Sequence, residues 1–364
     1  MRPLAAHIDL DALRHNYRIA ADCAPQSRSV AVIKADAYGH GALACARALE
    51  PLAPALAVAS IEEALALRAG GITRPVVLLE GFFDADELAL IDEHGFWVSV
   101  HSDWQVEALL AFTPRRPIPV WLKVDSGMHR LGFEPARVER VWRRLAAASQ
   151  VGELHLMSHF ATADAGDSGY FETQLETVKA LSRTLEAPLC LANSPATLAH
   201  RAAHGAWNRP GVMLYGSNPL EVDNAIATSL RPVMSLRSQI ISLREIAAGE
   251  PVGYGGRWRA ARPSKIAVVA AGYGDGVDRH AADGTPVLVD GQRCAIVGRV
   301  SMDMLTVDVT EVASAAIGSE VVLWGESAGG ARLSVDEVAR HCDTISYTLL
   351  TGVLPRVPRY YSGA

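Results

Sequence analysis

The chain has 364 residues, with 34 Lys and Arg against 40 Asp and Glu, for a formal net charge of -6. That balance excludes a protein built to grip a nucleic-acid backbone, and a composition 49% hydrophobic and 20% charged excludes a disordered or fibrous chain. Five scattered cysteines with no C-x-x-C pair fit neither a disulfide framework nor a thiolate zinc centre, and no apolar run reaches membrane-span length.

The N-terminal stretch MRPLAAHIDLDALRHNYRIA lacks the basic-then-apolar order of a secretory signal, so the expectation is a soluble, cytoplasmic, two-domain protein. In chain order, apolar strand-like runs fall at 29–34 (SVAVIK), 55–60 (ALAVAS), 75–81 (PVVLLEG), 96–101 (FWVSVH), 118–125 (IPVWLKVD), 153–160 (ELHLMSHF), 188–193 (PLCLAN) and 211–215 (GVMLY). Most are continuous rather than alternating, the pattern of strands buried on both faces of a parallel sheet. Amphipathic stretches separate them: 61–71, with Gly70 and Gly71 as its stop, then 85–95 and 135–148. Eight β/α units of about 26 residues predict a closed (β/α)8 TIM-type barrel over residues 1–230, with functional groups at the C-terminal strand ends. The strand count leaves an open doubly wound sheet as the alternative.

Past residue 230 the texture changes. Runs at 233–246, 264–273, 285–291, 294–300, 304–309 and 320–325, joined by turns containing Gly and Asp, predict a mainly antiparallel β domain over 231–364. One helix interrupts it, announced by an S-x-x-E capping box at Ser334 and Glu337.

Lys34 ends the first apolar run. An amine there is expensive to bury unless it is used, which suits an imine-forming or proton-transferring lysine; a strand-end lysine reaching solvent is the plainer alternative. His155 and His159 share a strand face, but no third ligand accompanies them, so no metal is expected. Ser194 before Pro195 reads equally as a helix N-cap or as an anion donor after the seventh strand. GYGGRW and GYGDG do not sit between a strand and a helix and read as turns, not as dinucleotide-binding loops.

VIKADAYGHG, WLKVDSGMHRLGF, MSHFATAD, ANSPAT, NRPGVMLYG, VGYGGRW, GYGDG and GRVSMDM, in that order and followed by RVPR at 356–359, resemble the alanine racemases over nearly the whole chain. Gly274 in GYGDG stands where many relatives have alanine. The resemblance implies a pyridoxal 5'-phosphate enzyme that interconverts L- and D-alanine by two opposed acid/base groups. Lys34 would bind the cofactor covalently and serve one face of the substrate, and Tyr254 would serve the other. Arg209 would face the pyridine nitrogen, and His159 would pack against the ring. Tyr38, Ser194, Gly211, Val212 and Tyr347 would hold the phosphate. Arg130 and the backbone near Met302 would take the substrate carboxylate, with Lys123 at a position the family often carries carbamylated. Tyr273 and Asp303 would line the pocket. A head-to-tail homodimer is implied, in which Tyr254, Tyr273 and Met302 enter the other subunit's barrel; neither nucleic acid nor membrane is an expected partner. A broader-specificity racemase and a barrel-fold amino-acid decarboxylase are the alternatives, and the decarboxylases resemble the WLKVDSGMHRLG and SMDM segments less. A pyridoxal-phosphate homeostasis protein would lack the C-terminal domain. Supply of D-alanine as a cell wall precursor and its consumption use the same chemistry.

Overall fold

The computed structural model describes residues 2–165, 169–222 and 224–363. Eight parallel strands close a barrel: β2 (Arg28–Val32), β3 (Ala55–Val58), β4 (Val76–Leu78), β5 (Trp97–Val100), β6 (Ile118–Lys123), β7 (Val151–Met157), β8 (Leu189–Cys190) and β9 (Trp207–Asn208). The closed circuit removes the open doubly wound alternative. Helices on the outside bury one apolar stripe each. In Pro135–Ala146 the stripe is Val138, Val141 and Leu145, and proline sits in the first turn, where its missing N–H costs nothing. The helix Ile61–Ala69 stops at the expected glycines, with Gly71 at φ +86°.

The eighth strand differs from expectation. It is Trp207–Asn208, while the apolar run Val212–Tyr215 forms a 3-10 turn. Pro210 has no N–H for a ladder, and a short buried apolar run suits a tight helical turn as well as a strand.

Inside the barrel, Trp97, Trp121, His155 and Trp207 pack against one another with ring centroids 5.6 to 6.5 Å apart. His155 is thus a core residue. Side chains two positions further along these strands point the same way, so Lys123, Met157 and Arg209 stand above this aromatic floor, toward the C-terminal ends.

The second layer is a nine-stranded, mainly antiparallel sheet. Its strands β10 (Met234–Ile246), β13 (Ser264–Val269), β16 (Leu305–Asp308), β15 (Gln292–Ile296), β14 (Pro286–Val289) and β17 (Glu320–Glu326) pair in turn, and β17 returns to β10. A small ribbon, β11 (Pro251–Val252) with β12 (Trp258–Arg259), stands apart. An N-terminal strand, β1 (Ala5–Asp9), lies in this sheet and not in the barrel: it runs antiparallel to β10 and parallel to β19 (Arg359–Ser362). The capping box forms only by half. Ser334 Oγ accepts from Asp336 N at 3.1 Å, but Glu337 turns to Arg293 on β15.

Hydrogen bonds tie the layers together. Ser217 Oγ donates to Asp336 Oδ1 at 2.5 Å and lies 2.7 Å from Ser346 Oγ, while Arg359 Nε donates to Gly39 O at 2.8 Å. No helix among the described residues is long and apolar enough to cross a membrane.

Asp275, fully buried, joins both ends of the chain to one loop. It pairs with Arg2, accepts from Arg356 Nε at 2.7 Å and accepts from Gly272 N at 2.8 Å. Burial alone would raise its pKa, but these bonds, Arg2 foremost, hold it below the ordinary carboxylate range. Asp275→Asn leaves two guanidinium groups facing a neutral amide and should cost about 3 kcal/mol in urea unfolding at neutral pH. Because the folded-state pKa is depressed, the difference from the parent should shrink as pH falls through the acid range.

Candidate active site

A cavity of about 610 Å³ opens at the C-terminal strand ends, above the aromatic floor. Lys34, Tyr38, Lys123, Arg130, His159, Ser194, Arg209, Gly211, Val212 and Tyr347 all line it. Lys34 stands two residues beyond β2. The four residues after it, Ala35 to Tyr38, run at φ 51° to 54° and ψ 42° to 53°, a left-handed turn built from residues that carry Cβ atoms. Such a turn costs about 1–2 kcal/mol per residue and must be held by its neighbours. His40 Nδ1 reaches Tyr38 O at 2.8 Å and Ala37 O at 3.0 Å, and Asp36 Oδ1 accepts from Ala42 N at 2.7 Å. Gly39, at φ +79°, packs so closely on Leu350 O that a Cβ would lie 2.2 Å from it.

The segment from Lys123 to Phe133 folds back on itself. Phe133 N donates to Lys123 O at 2.8 Å, Asp125 N to Phe133 O at 3.0 Å, and the Asp125 carboxylate gathers Gly127 N and His129 N. Gly132, at φ +129°, passes so near Asp125 N that a Cβ would sit 2.5 Å away. This fold returns Arg130 over Lys123, which explains their spacing. Lys123 is buried among Arg209, Arg130 and Lys34, and burial first, then these cations, lowers its pKa to about 8, with Glu80 opposing. Burial and the same cationic neighbourhood drop His159 to about 3, so its ring is neutral.

Arg209 is fixed by its surroundings. Nη1 donates to Cys190 O at 2.6 Å and Nη2 to Ser158 O at 2.8 Å, while Nε takes no partner among the described residues. Ser194 is not the N-cap: Asn193 Oδ1 caps that helix, and Ser194 Oγ accepts from Gly211 N at 2.8 Å and Met213 N at 3.2 Å. The Ser194 hydroxyl proton and the Val212 amide are thereby left as donors. A Cβ on Gly211 would lie 2.5 Å from Tyr38 Oη, so glycine keeps that phenol clear. Tyr38 stacks on Tyr215 at 4.8 Å and meets Tyr347, which comes from the helix Ser346–Thr351 of the second layer, at 5.9 Å. Burial raises both phenols well above the ordinary tyrosine range.

Sequence reasoning did not single out Glu80, among the described residues the one acidic side chain that lines this cavity, although it too closes an apolar run. Asn193 and Thr351 were also missed. Four other expected residues do not reach this cavity. Tyr254, 68% exposed, opens the turn between β11 and β12; Met302, 54% exposed, adjoins Tyr273, and Gly274 N donates to Met302 O at 2.8 Å. Asp303 accepts from Arg356 Nη2 at 2.7 Å and has the character of a structural turn residue on this chain. Among the described residues no group of three or more His, Cys, Asp or Glu could hold a metal ion.

Residues 8–219 match the alanine racemase N-terminal domain family and residues 233–361 the alanine racemase C-terminal domain family. An alanine racemase of Chromohalobacter salexigens is 68% identical over 364 residues, covering 100% of this chain and 99% of the relative. Among solved structures, the biosynthetic alanine racemase of Pseudomonas aeruginosa superposes with a TM-score of 0.95 at 50% identity, with 100% of each chain covered. The alanine racemase of Bartonella henselae, solved with covalently bound pyridoxal phosphate, gives 0.88 at 28% identity, again over 100% of each chain.

The buried Lys123 amine makes stability depend on pH. Its folded pKa lies below the unfolded value, so the native state sheds this proton first; the destabilisation is complete below about pH 8 and is relieved between about pH 8 and about pH 10.5. Lys123→Met in the cofactor-free protein should unfold in urea with about 2–3 kcal/mol more free energy near pH 7, and the difference should shrink steadily above about pH 8 and vanish above about pH 10.5.

Proposed function

The chain belongs to the alanine racemase family, and we infer that it interconverts L- and D-alanine with pyridoxal 5'-phosphate held at Lys34. The observation that carries this reading is the convergence of Lys34, Lys123, Arg130 and Arg209 on one cavity with a single carboxylate, Glu80. Such a site calls for anions, and both a phosphorylated cofactor and an amino-acid carboxylate are anions.

The donors present suit that cofactor. Tyr38 and Tyr347, kept protonated by burial, would donate hydroxyl hydrogens to the phosphate, as would Ser194 and the Val212 amide. Bound there, pyridoxal phosphate supplies an electron sink for the pair left when the substrate α-carbon loses its proton. Lys34 would anchor the cofactor through its amine and, when free, would move a proton at one face of the α-carbon. Arg209, whose Nε is unengaged among the described residues, would bring a permanent positive charge to the cofactor ring and oppose its protonation. That charge would favour return of the proton to the α-carbon, and so racemisation over transamination. His159, whose pKa burial and the nearby cations lower to about 3, would pack beside the cofactor ring without adding charge. Arg130 takes the substrate carboxylate.

Lys123, with its lowered pKa, offers the neutral amine that carbamylation requires: Nζ adds to the carbon of CO2 and releases one proton, leaving an anion beside Arg130. The opposite face of the substrate is assigned to Tyr254 of a second copy in a head-to-tail homodimer. The exposure of Tyr254, Tyr273 and Met302, none of which meets its own barrel cavity, supports that arrangement.

Chiral analysis of L-alanine incubated with the protein and added cofactor should show D-alanine appearing and the α-hydrogen exchanging with solvent; loss of CO2 instead would overturn the reading in favour of a decarboxylase. Lys34→Ala and Tyr254→Phe proteins, each inactive alone, should regain part of the parent rate when mixed and allowed to exchange subunits, because half the mixed sites are then intact. Arg209→Glu should raise pyruvate formation per racemisation event, and unchanged product purity would remove Arg209 from its assigned role.

A further inference from the structure

Glu63 is the third residue of the helix Ile61–Ala69 and stands three after Ser60, so its sequence context is a capping box in which the glutamate would reach back to the N-cap amide. The structure uses it otherwise. Ser60 makes no side-chain cap bond. Glu63 Oε2 accepts from Ala59 N at 2.7 Å, just past the end of β3, and Oε1 accepts from Ala35 N at 2.6 Å. One carboxylate thus joins two neighbouring β/α units, and one of its bonds falls on the first residue after Lys34, where the left-handed turn begins. The far end of that turn is held separately, by His40 and by Arg359 on Gly39 O. Without the Glu63 bond, nothing among the described residues accepts from the Ala35 amide, and the start of the turn rests on Ile33, whose N donates to Ala57 O and whose O accepts from Ala37 N.

We propose that Glu63 is a positioning residue for Lys34: by tying the Ala35 amide to the end of β3, it fixes the direction in which the Lys34 side chain enters the cavity. The proposal rests on the reading of Lys34 as the cofactor-bearing, proton-moving lysine. Both amides donate, so the tie needs two acceptor oxygens. Glutamine can offer only one and sets its NH2 against the other amide; aspartate keeps the charge but is one methylene short of spanning both.

The test uses the holoenzymes of the parent, E63Q, E63D and E62Q, the last changing the exposed neighbour. E63Q should lose about 10- to 100-fold in kcat, the penalty for a misplaced catalytic group, while KM for alanine stays within about twofold. The α-deuterium isotope effect should rise for one alanine enantiomer and not the other, because only one face of the substrate meets Lys34; a general loss of structure would change both alike. Hydrogen exchange should quicken at the amides of Ala35 and Ala59 in E63Q and remain as in the parent in E62Q. A parent-like kcat with parent-like exchange at Ala35 in E63Q would overturn the proposal. If E63Q does not fold, E63D is judged by the same two measurements. A parent that does not racemise alanine would sink the functional reading itself, whereas an active parent with E63Q indistinguishable from E62Q would sink only the tie.

Discussion

Positive charge concentrated in a confined space is the constraint on which the rest of this structure turns. Among the described residues, Lys34, Lys123, Arg130 and Arg209 share one cavity with a single acidic side chain and have no ion-pair partner there. The fold contains this repulsion in three ways. Lys123 meets it by giving up its proton easily. Arg209 is locked by backbone carbonyls, which solvate the guanidinium without cancelling its charge. His159 remains neutral, so the ring that lies among the four cations adds nothing to their repulsion. What is left unbalanced is an attraction for small anions.

Rigidity beneath the cavity makes that arrangement durable. Three indoles and an imidazole fill the barrel axis, so the residues two positions above them have no room to sink. At the rim the chain accepts strain instead, in four successive left-handed residues. Hydrogen bonds and close packing around the turn, to His40, Asp36, Arg359 and Leu350, offset that strain and place Lys34 and Tyr38 on the same wall. Floor and rim are made from different kinds of interaction, apolar packing below and directed polar bonds above, and a precise site needs both.

Much of this was legible in the residues alone. Continuous apolar runs identified seven of the barrel strands because both of their faces are buried, but the eighth failed: Trp207–Asn208 lies in HGAWNRPG, outside any apolar run, and the more conspicuous run beside it is a turn. Lys34 was visible as a charge ending an apolar run, and the same rule applied to Glu80 would have found the cavity's one carboxylate. The left-handed turn was not visible, because Ala35, Asp36 and Ala37 have no side-chain reason to adopt positive φ; only their tertiary partners impose it. Glu63 and Glu337 show the ambiguity of capping signatures, since each sits three residues after a serine and each spends its carboxylate elsewhere. Tyr254, Tyr273 and Met302 were named by family likeness, and a single chain gives them only an exposed surface.

The interleaving of β1 between β10 and β19 bears on how the chain is made. Ile8 and Ser362, joined by a hydrogen bond, are 354 positions apart. During synthesis the barrel strands leave the ribosome in order, and each can pair with the one before it. The strand β1 must wait for β10, made after the whole barrel, and for β19, made later still. Closure of so long a loop adds only a few kcal/mol of entropy, but it favours an order of events in which the barrel strands pair first and β1 docks on β10 and β19 after them. Until then an edge of unpaired backbone is exposed on the nascent protein, and its brevity, five residues flanked at once by a helix, limits what it can wrongly join.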